Sequence, residues 1–160
     1  MVANQPWERT AMEHQADPAK QRHVLVVDDN AELALAFREA LQLHGYEASV
    51  AMNGVQALKI VMQTKVDAIL CELTMPQLDG DMFFNTLQRV RPALSRRFIF
   101  VTGNAGKPKY EPFLKNSSCP VLYKPVSADN LLITVAGLFT ASVDNQTQGT
   151  RECSSNESQV

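Results

Sequence analysis

The sequence predicts one α/β domain in which five βα units build an open, doubly wound parallel sheet covered by helices on both sides. Three observations carry this. Short apolar or β-branched runs alternate with segments of helical period five times between residues 21 and 140. The runs are largely continuous in apolar character, as strands buried on both faces are. The chain has 160 residues, 45% of them hydrophobic and 20% charged, which suits one core and is short for two domains.

Taken in order, residues 1–20 are polar and aperiodic and are expected to form a flexible arm, with Trp7 its one large apolar side chain. His23 to Val27 is a β-branched run and the first strand. Leu33, Phe37, Ala40, Leu41 and His44 recur at helical spacing, and Gly45 ends that helix. Tyr46 to Met52 is a weaker second strand. Asn53 begins a second helix with Ala57, Leu58, Val61 and Met62 on one face. Val66 to Cys71 is the third strand. A helix from Asp79 to about Val90 turns Phe83, Leu87 and Val90 inward and is stopped by Pro92. Phe98 to Val101 is the fourth strand, followed by a poor fourth helix within 107–116, interrupted by Pro108 and Pro112. Val121 to Tyr123 is the fifth strand. Ser127 caps a last helix that buries Leu131, Leu132, Val135 and Leu138. The segment "ASVDNQTQGTRECSSNESQV", residues 141–160, reads as a disordered tail or linker. The domain therefore spans 21–140.

Composition excludes several classes. The formal net charge is −2 and the pI about 5.9, and no basic run asks for a nucleic-acid or membrane surface. The longest largely apolar stretch, Leu131 to Val143, is too short for a bilayer, which needs about 20 residues. The N-terminus lacks the apolar core of a secretory signal. Cys71, Cys119 and Cys153 form no CxxC pair, so thiolate-metal and redox motifs are absent and the cytoplasm is the expected compartment.

In open parallel sheets the chemistry sits at the carboxyl ends of the strands. Asp28 and Asp29 follow the first strand, Glu72 the third, Thr102 the fourth and Lys124 the fifth. Three carboxylates that converge there repel one another, and a hard cation such as Mg²⁺, which prefers oxygen ligands, relieves that repulsion. A lysine opposite balances the charge, and a hydroxyl donates to an anion. Singly, each residue has a plainer reading: the aspartates as helix caps, Thr102 as turn chemistry, Lys124 as a surface lysine. Their coincidence at the ends of four strands outweighs those readings.

These residues resemble the receiver domain of two-component response regulators over about residues 22–140. "VLVVDDN", "AMNGVQALKI", "VDAILCELTMPQLDG", "VTG" and "YKP" carry the resemblance in order and spacing. It implies a flavodoxin-like (βα)5 fold with strand order 2-1-3-4-5. It also implies a weakly held Mg²⁺ on Asp28, Asp29, Glu72 and the Thr74 carbonyl. Thr102 and Lys124 would contact a phosphoryl group, and Met75-Pro76 and Asp79-Gly80 would shape the acceptor loop. The implied partner is a protein: a histidine kinase or a downstream signalling protein, with homodimerisation through the fourth helix and fifth strand.

Two features depart from that pattern. The family's phospho-acceptor is an aspartate, and this chain has Glu72. Glutamate is longer by one methylene, about 1.5 Å, and a misplacement of about 1 Å costs phosphoryl transfer on the order of a hundredfold. Three readings stay open: Glu72 imitates the phosphorylated state, or it only forms a salt bridge to Lys124 in a binding scaffold, or some phosphorylation persists. Many receivers also carry an aromatic residue three positions before the lysine, where this chain has Val121. Lys107, Lys109 and Tyr110 are expected to be exposed as partner contacts. The rival classes are a Mg²⁺-dependent phosphatase or phosphotransferase using Asp28 or Asp29 as nucleophile, and a flavodoxin-like cofactor binder. The latter lacks a glycine-rich phosphate loop after the first strand.

Overall fold

Five strands lie parallel in the order β2-β1-β3-β4-β5. In the computed structural model, which describes residues 21–103 and 107–140, they are β1 (His23–Val27), β2 (Glu47–Ala51), β3 (Ala68–Cys71), β4 (Phe98–Thr102) and β5 (Val121–Tyr123). The helices are α1 (Ala31–Leu43), α2 (Gly54–Gln63), α3 (Gly80–Val90), α4 (Pro92–Ser95), α5 (Glu111–Ser117) and α6 (Ala128–Thr140). The arm at 1–20 and the tail at 141–160 expected from the sequence lie outside the described residues.

Side chains of a strand alternate between faces, so one strand feeds two cores. Val24, Val26, Ala68, Leu70, Ile99 and Val101 pack with Phe37 and Leu41 of α1 and with Leu131, Val135 and Phe139 of α6. Leu25, Val27, Ile69, Cys71, Phe98 and Phe100 pack with Ala57 and Val61 of α2, with Phe83, Phe84 and Leu87 of α3, and with Phe113 of α5. Phe84 is the hub of this second core, edge-on to Phe98, Phe100 and Phe113 at 5.1 to 5.7 Å. Both faces of the sheet are thus covered, which is why the strands read as continuous apolar runs.

Local chemistry sets the element ends. Asn30 and Asn53 accept from the Leu33 and Gln56 amides and cap α1 and α2. Gly45, at φ +83, follows α1 in the left-handed conformation that glycine adopts without steric cost. Among the described residues no helix is long and apolar enough to cross a membrane.

The structure corrects five expectations about elements. Pro92 does not merely stop a helix; it opens α4, because proline fits the first position of a helix, where its missing N–H has no partner to lose. The fourth helix of the sequence reading is therefore α5, and Pro112 does not interrupt it but sits in its first turn, where proline is tolerated. Met62 and Val90, expected inward, are 54% and 45% exposed. In α6, Phe139 takes the third fully packed position with Leu131 and Val135, while Leu132 and Leu138 are only partly buried. Tyr110, expected exposed, is buried at 2%.

Candidate functional site

Strand register assembles the site. Val27 pairs with Cys71, so the next residues, Asp28 and Glu72, emerge side by side. Thr102 pairs with Tyr123, and the Lys124 amide donates to the Thr102 carbonyl at 3.0 Å, which brings the lysine to the same edge. The Lys124 ammonium then lies 2.8 Å from Asp28 Oδ2 and 2.6 Å from Glu72 Oε2. The carboxylates are nearly sealed, with side-chain exposures of 3% and 6%, against 23% for the lysine.

The other carboxylate oxygens are also engaged. Asp28 Oδ1 accepts the Asn30 amide at 2.9 Å. Glu72 Oε1 accepts the Leu73 amide at 2.7 Å and the Thr74 amide at 3.3 Å. The glutamate therefore curls back over its own loop while its second oxygen holds the lysine. Gly80 makes room for this turn: its amide donates to the Leu73 carbonyl, and a Cβ there would sit 2.3 Å from the Glu72 carbonyl oxygen. Burial opposes the charge on Lys124, but its hydrogen bonds to Asp28 and Glu72 and their charges outweigh that and raise its pKa above the ordinary 10.5. Burial, aided by the Glu72 and Asp28 charges, pushes the Cys71 thiol well up, so Cys71 is an inert core residue.

The side chains expected to hold a divalent cation are engaged otherwise in this structure, or stand apart. Among the described residues no three His, Cys, Asp or Glu side chains gather closely enough to hold a metal. Asp29 is exposed and outside the ion-pair cluster. Asp28 and Glu72 share an ammonium where repulsion between them would otherwise call for a metal. The Thr74 backbone contributes its amide to Glu72.

Of the remaining predicted residues, Thr102 is fully buried as the last residue of β4. Val121 opens β5 opposite Phe100 and packs, half-buried, on the α2–α5 core, away from the lysine. Tyr123 is 58% exposed.

A second polar cluster escaped the sequence reading. The Tyr110 hydroxyl donates to Asp79 Oδ2 at 3.2 Å, and Lys109 Nζ donates to the same oxygen at 3.0 Å. Asp79 Oδ1 accepts the Met75 amide at 3.2 Å, and the Thr74 hydroxyl lies 3.5 Å from the Tyr110 hydroxyl. This cluster ties the loop after Glu72 to the start of α5. Partial burial would raise the Asp79 carboxyl, but the Lys109 and Met75 hydrogen bonds, the Lys109 charge and the Tyr110 hydroxyl hold it below its ordinary 3.8. Lys107 is exposed as expected; Lys109 is exposed but committed to Asp79.

Comparison with known proteins agrees with this fold. Residues 24–136 match the family model described as response regulator receiver domain. A response regulator receiver protein of Anaeromyxobacter is 31% identical over 111 residues, 69% of this chain and 46% of that protein. The transcriptional regulatory protein GlrR of Escherichia coli is 30% identical over 70% of this chain, and the sensor histidine kinase RcsC of Salmonella typhi 31% identical over 76%. Those matches span 25% and 13% of the two relatives, so the chain covers less than half the length of each of the three. Among solved structures, a response regulator receiver protein from Pseudomonas putida superposes with TM-score 0.67 at 26% identity, covering 74% of this chain and 98% of that one. The chemotaxis response regulator CheY4 of Vibrio cholerae shares the fold, with TM-score 0.66 at 24% identity over 74% of this chain and 99% of its own. The α/β sheet, its strand order and the matched 113-residue span together place this chain in the response regulator receiver domain family of two-component signalling.

Proposed function

We propose that this chain is a receiver module that acts by protein–protein contact without phosphorylation, because Glu72 occupies the acceptor position and satisfies Lys124 permanently. The observation that carries this is the Glu72 carboxylate itself, bound to Lys124 at 2.6 Å on one oxygen and to the Leu73 and Thr74 amides on the other. A phosphoryl group on a shorter aspartate would need the same lysine. Here the lysine is already held by two buried carboxylates, so the active-like contact exists without a phosphoryl donor. A carboxylate carries about one negative charge where a phosphoryl group carries up to about two, so the imitation is partial.

The partner is a histidine kinase or a downstream signalling protein in the cytoplasm, and the α5–β5 face with the exposed Tyr123 is the surface for it or for a second copy. A phosphatase mechanism through Asp28 is disfavoured, because both of its carboxylate oxygens are committed.

The test is incubation with acetyl phosphate and Mg²⁺, read as a phosphoryl mass increment, for wild type and Glu72→Asp. The expected result is an increment on the aspartate variant alone. Modification of wild type would show a kinase-driven switch and overturn the proposal. No increment on either protein would mean that the site lacks more than an aspartate.

A further inference from the structure

At the opposite edge of the sheet, where the strands begin, the last turns of α2 and α3 part to leave a groove of about 600 Å³. Its walls are Val61 and Met62 of α2, Lys65 and Val66 before β3, and Val90, Arg91, Pro92, Leu94 and Arg97 around α4. Two of the large apolar side chains that the fold leaves exposed, Met62 and Val90, both line this groove.

Charge is segregated there. Lys65, Arg91 and Arg97 line the groove against the single carboxylate of Asp67, which already pairs with Lys65 at 3.8 Å and accepts the His23 amide at 2.9 Å. Arg89 and Arg96, neighbours in sequence, are exposed, and Arg96 lines a separate pocket beside α5. Arg89, Arg91 and Arg96 form no ion pair among the described residues. Arg97 lies over the Phe139 ring at 5.7 Å. Two of the four arginines within residues 89–97 thus line this groove, in a chain whose net charge is −2. That balance asks for negative charge from outside.

We propose that this groove docks an acidic segment of a partner protein that carries an apolar anchor. The apolar side chain enters between Met62, Val90 and Leu94, and carboxylates on either side of it meet Arg91 and Lys65. A buried anchor ringed by charge pairs is the arrangement in which apolar contact supplies affinity and charge supplies register and on-rate. A nucleic acid fits less well, because its phosphates would leave the apolar floor bare and its regular charge rows call for a broad basic face. The surface is independent of Glu72, at the other end of the strands.

The experiment is fluorescence anisotropy of the full chain with short labelled peptides rich in glutamate and carrying one Leu, Phe or Met. An all-glutamate peptide and a DNA duplex serve as comparisons. Anchored peptides are expected to bind, more weakly as salt rises, and to lose about tenfold in affinity with either Arg91→Glu or Met62→Asp. Both side chains are exposed, and thermal melting verifies that both variants fold; Glu39→Gln, an exposed position on α1, leaves the affinity unchanged. Absence of binding by every anchored peptide overturns the proposal, as does equal binding by the variants. Preference for the DNA duplex, or self-association that Arg91→Glu abolishes, overturns it in favour of a nucleic acid or a second copy.

Discussion

One ammonium serves two buried carboxylates in this site, and that asymmetry decides what each substitution does. Removing Lys124 leaves Asp28 and Glu72 sealed, adjacent and uncompensated. Such a loss typically costs about 3 kcal/mol or more, and Lys124→Met is expected to lower stability by about 3 kcal/mol, near the low end because the lysine is partly exposed. Glu72→Gln removes only one of the two acids, leaves the lysine its Asp28 partner and keeps an oxygen for the Leu73 amide; its expected cost is about 1 kcal/mol. Urea unfolding of both variants checks this, and equal costs would mean that Glu72, not Lys124, holds the site together. Asp28, Glu72 and Lys124 were legible in the sequence because each follows a strand whose apolar run is unmistakable. Asp29 was legible as an acid but not as an outsider, since which member of an adjacent pair turns inward depends on the Asn30 cap and the Lys124 contact.

The joint between the acceptor loop and the start of α5 runs through Asp79, which holds both the Tyr110 hydroxyl and the Lys109 ammonium. Tyr110 precedes α5 directly, and its ring is sealed in the core while its oxygen reaches Asp79. Tyr110→Phe keeps the ring and leaves Asp79 with Lys109 and the Met75 amide. The expected cost is about 1 kcal/mol, with faster amide exchange across residues 111–117 and at Met75 and little change in α1 or α6. Hydrogen exchange read by mass spectrometry measures this; unchanged exchange in α5 would show that ring packing alone holds the joint. Most strands and helices were legible from periodicity, and Asn53 was legible as the start of α2; the cap of α1 is Asn30, not the aspartates before it that the sequence offered. Tyr110 was missed because a tyrosine between two prolines in a polar, lysine-bearing segment carries no local sign of burial. Its burial comes from the core it packs into and from the acceptor loop, whose Thr74 lies 36 residues away in sequence. Met62 and Val90 failed for the opposite reason: each fits its helical stripe but sits in a last turn, at the groove, where no strand covers it.

Parallel pairing places the ion-pair cluster at the carboxyl edge of the sheet, with Asp79 on the adjoining loop, so stability and site share their titrating groups. The architecture itself was legible because five strands of alternating parity feed two cores, and such a sheet has few ways to close. The pH dependence follows from two shifts of opposite kind. Asp79 is held below its ordinary 3.8 in the fold, so its contribution is present above that value and is lost as pH falls through the lowered pKa. Lys124 is held above its ordinary 10.5, so its contribution is complete below that value and is lost as pH rises through the raised pKa. Stability attributable to these two groups therefore forms a plateau across neutral pH with losses at both ends. Asp79→Asn is expected to lie below wild type on the plateau and to approach it only as pH falls from 3.8 through the lowered pKa. Lys124→Met should lie below wild type across neutral pH and approach it as pH rises through the alkaline limb. Denaturant midpoints of the three proteins between acid and alkaline pH test the assignment. A gap between wild type and Asp79→Asn that stays constant down to strong acid would show that the Asp79 carboxylate charge contributes nothing to the loop, and that its hydrogen-bonding shape alone is what the fold uses.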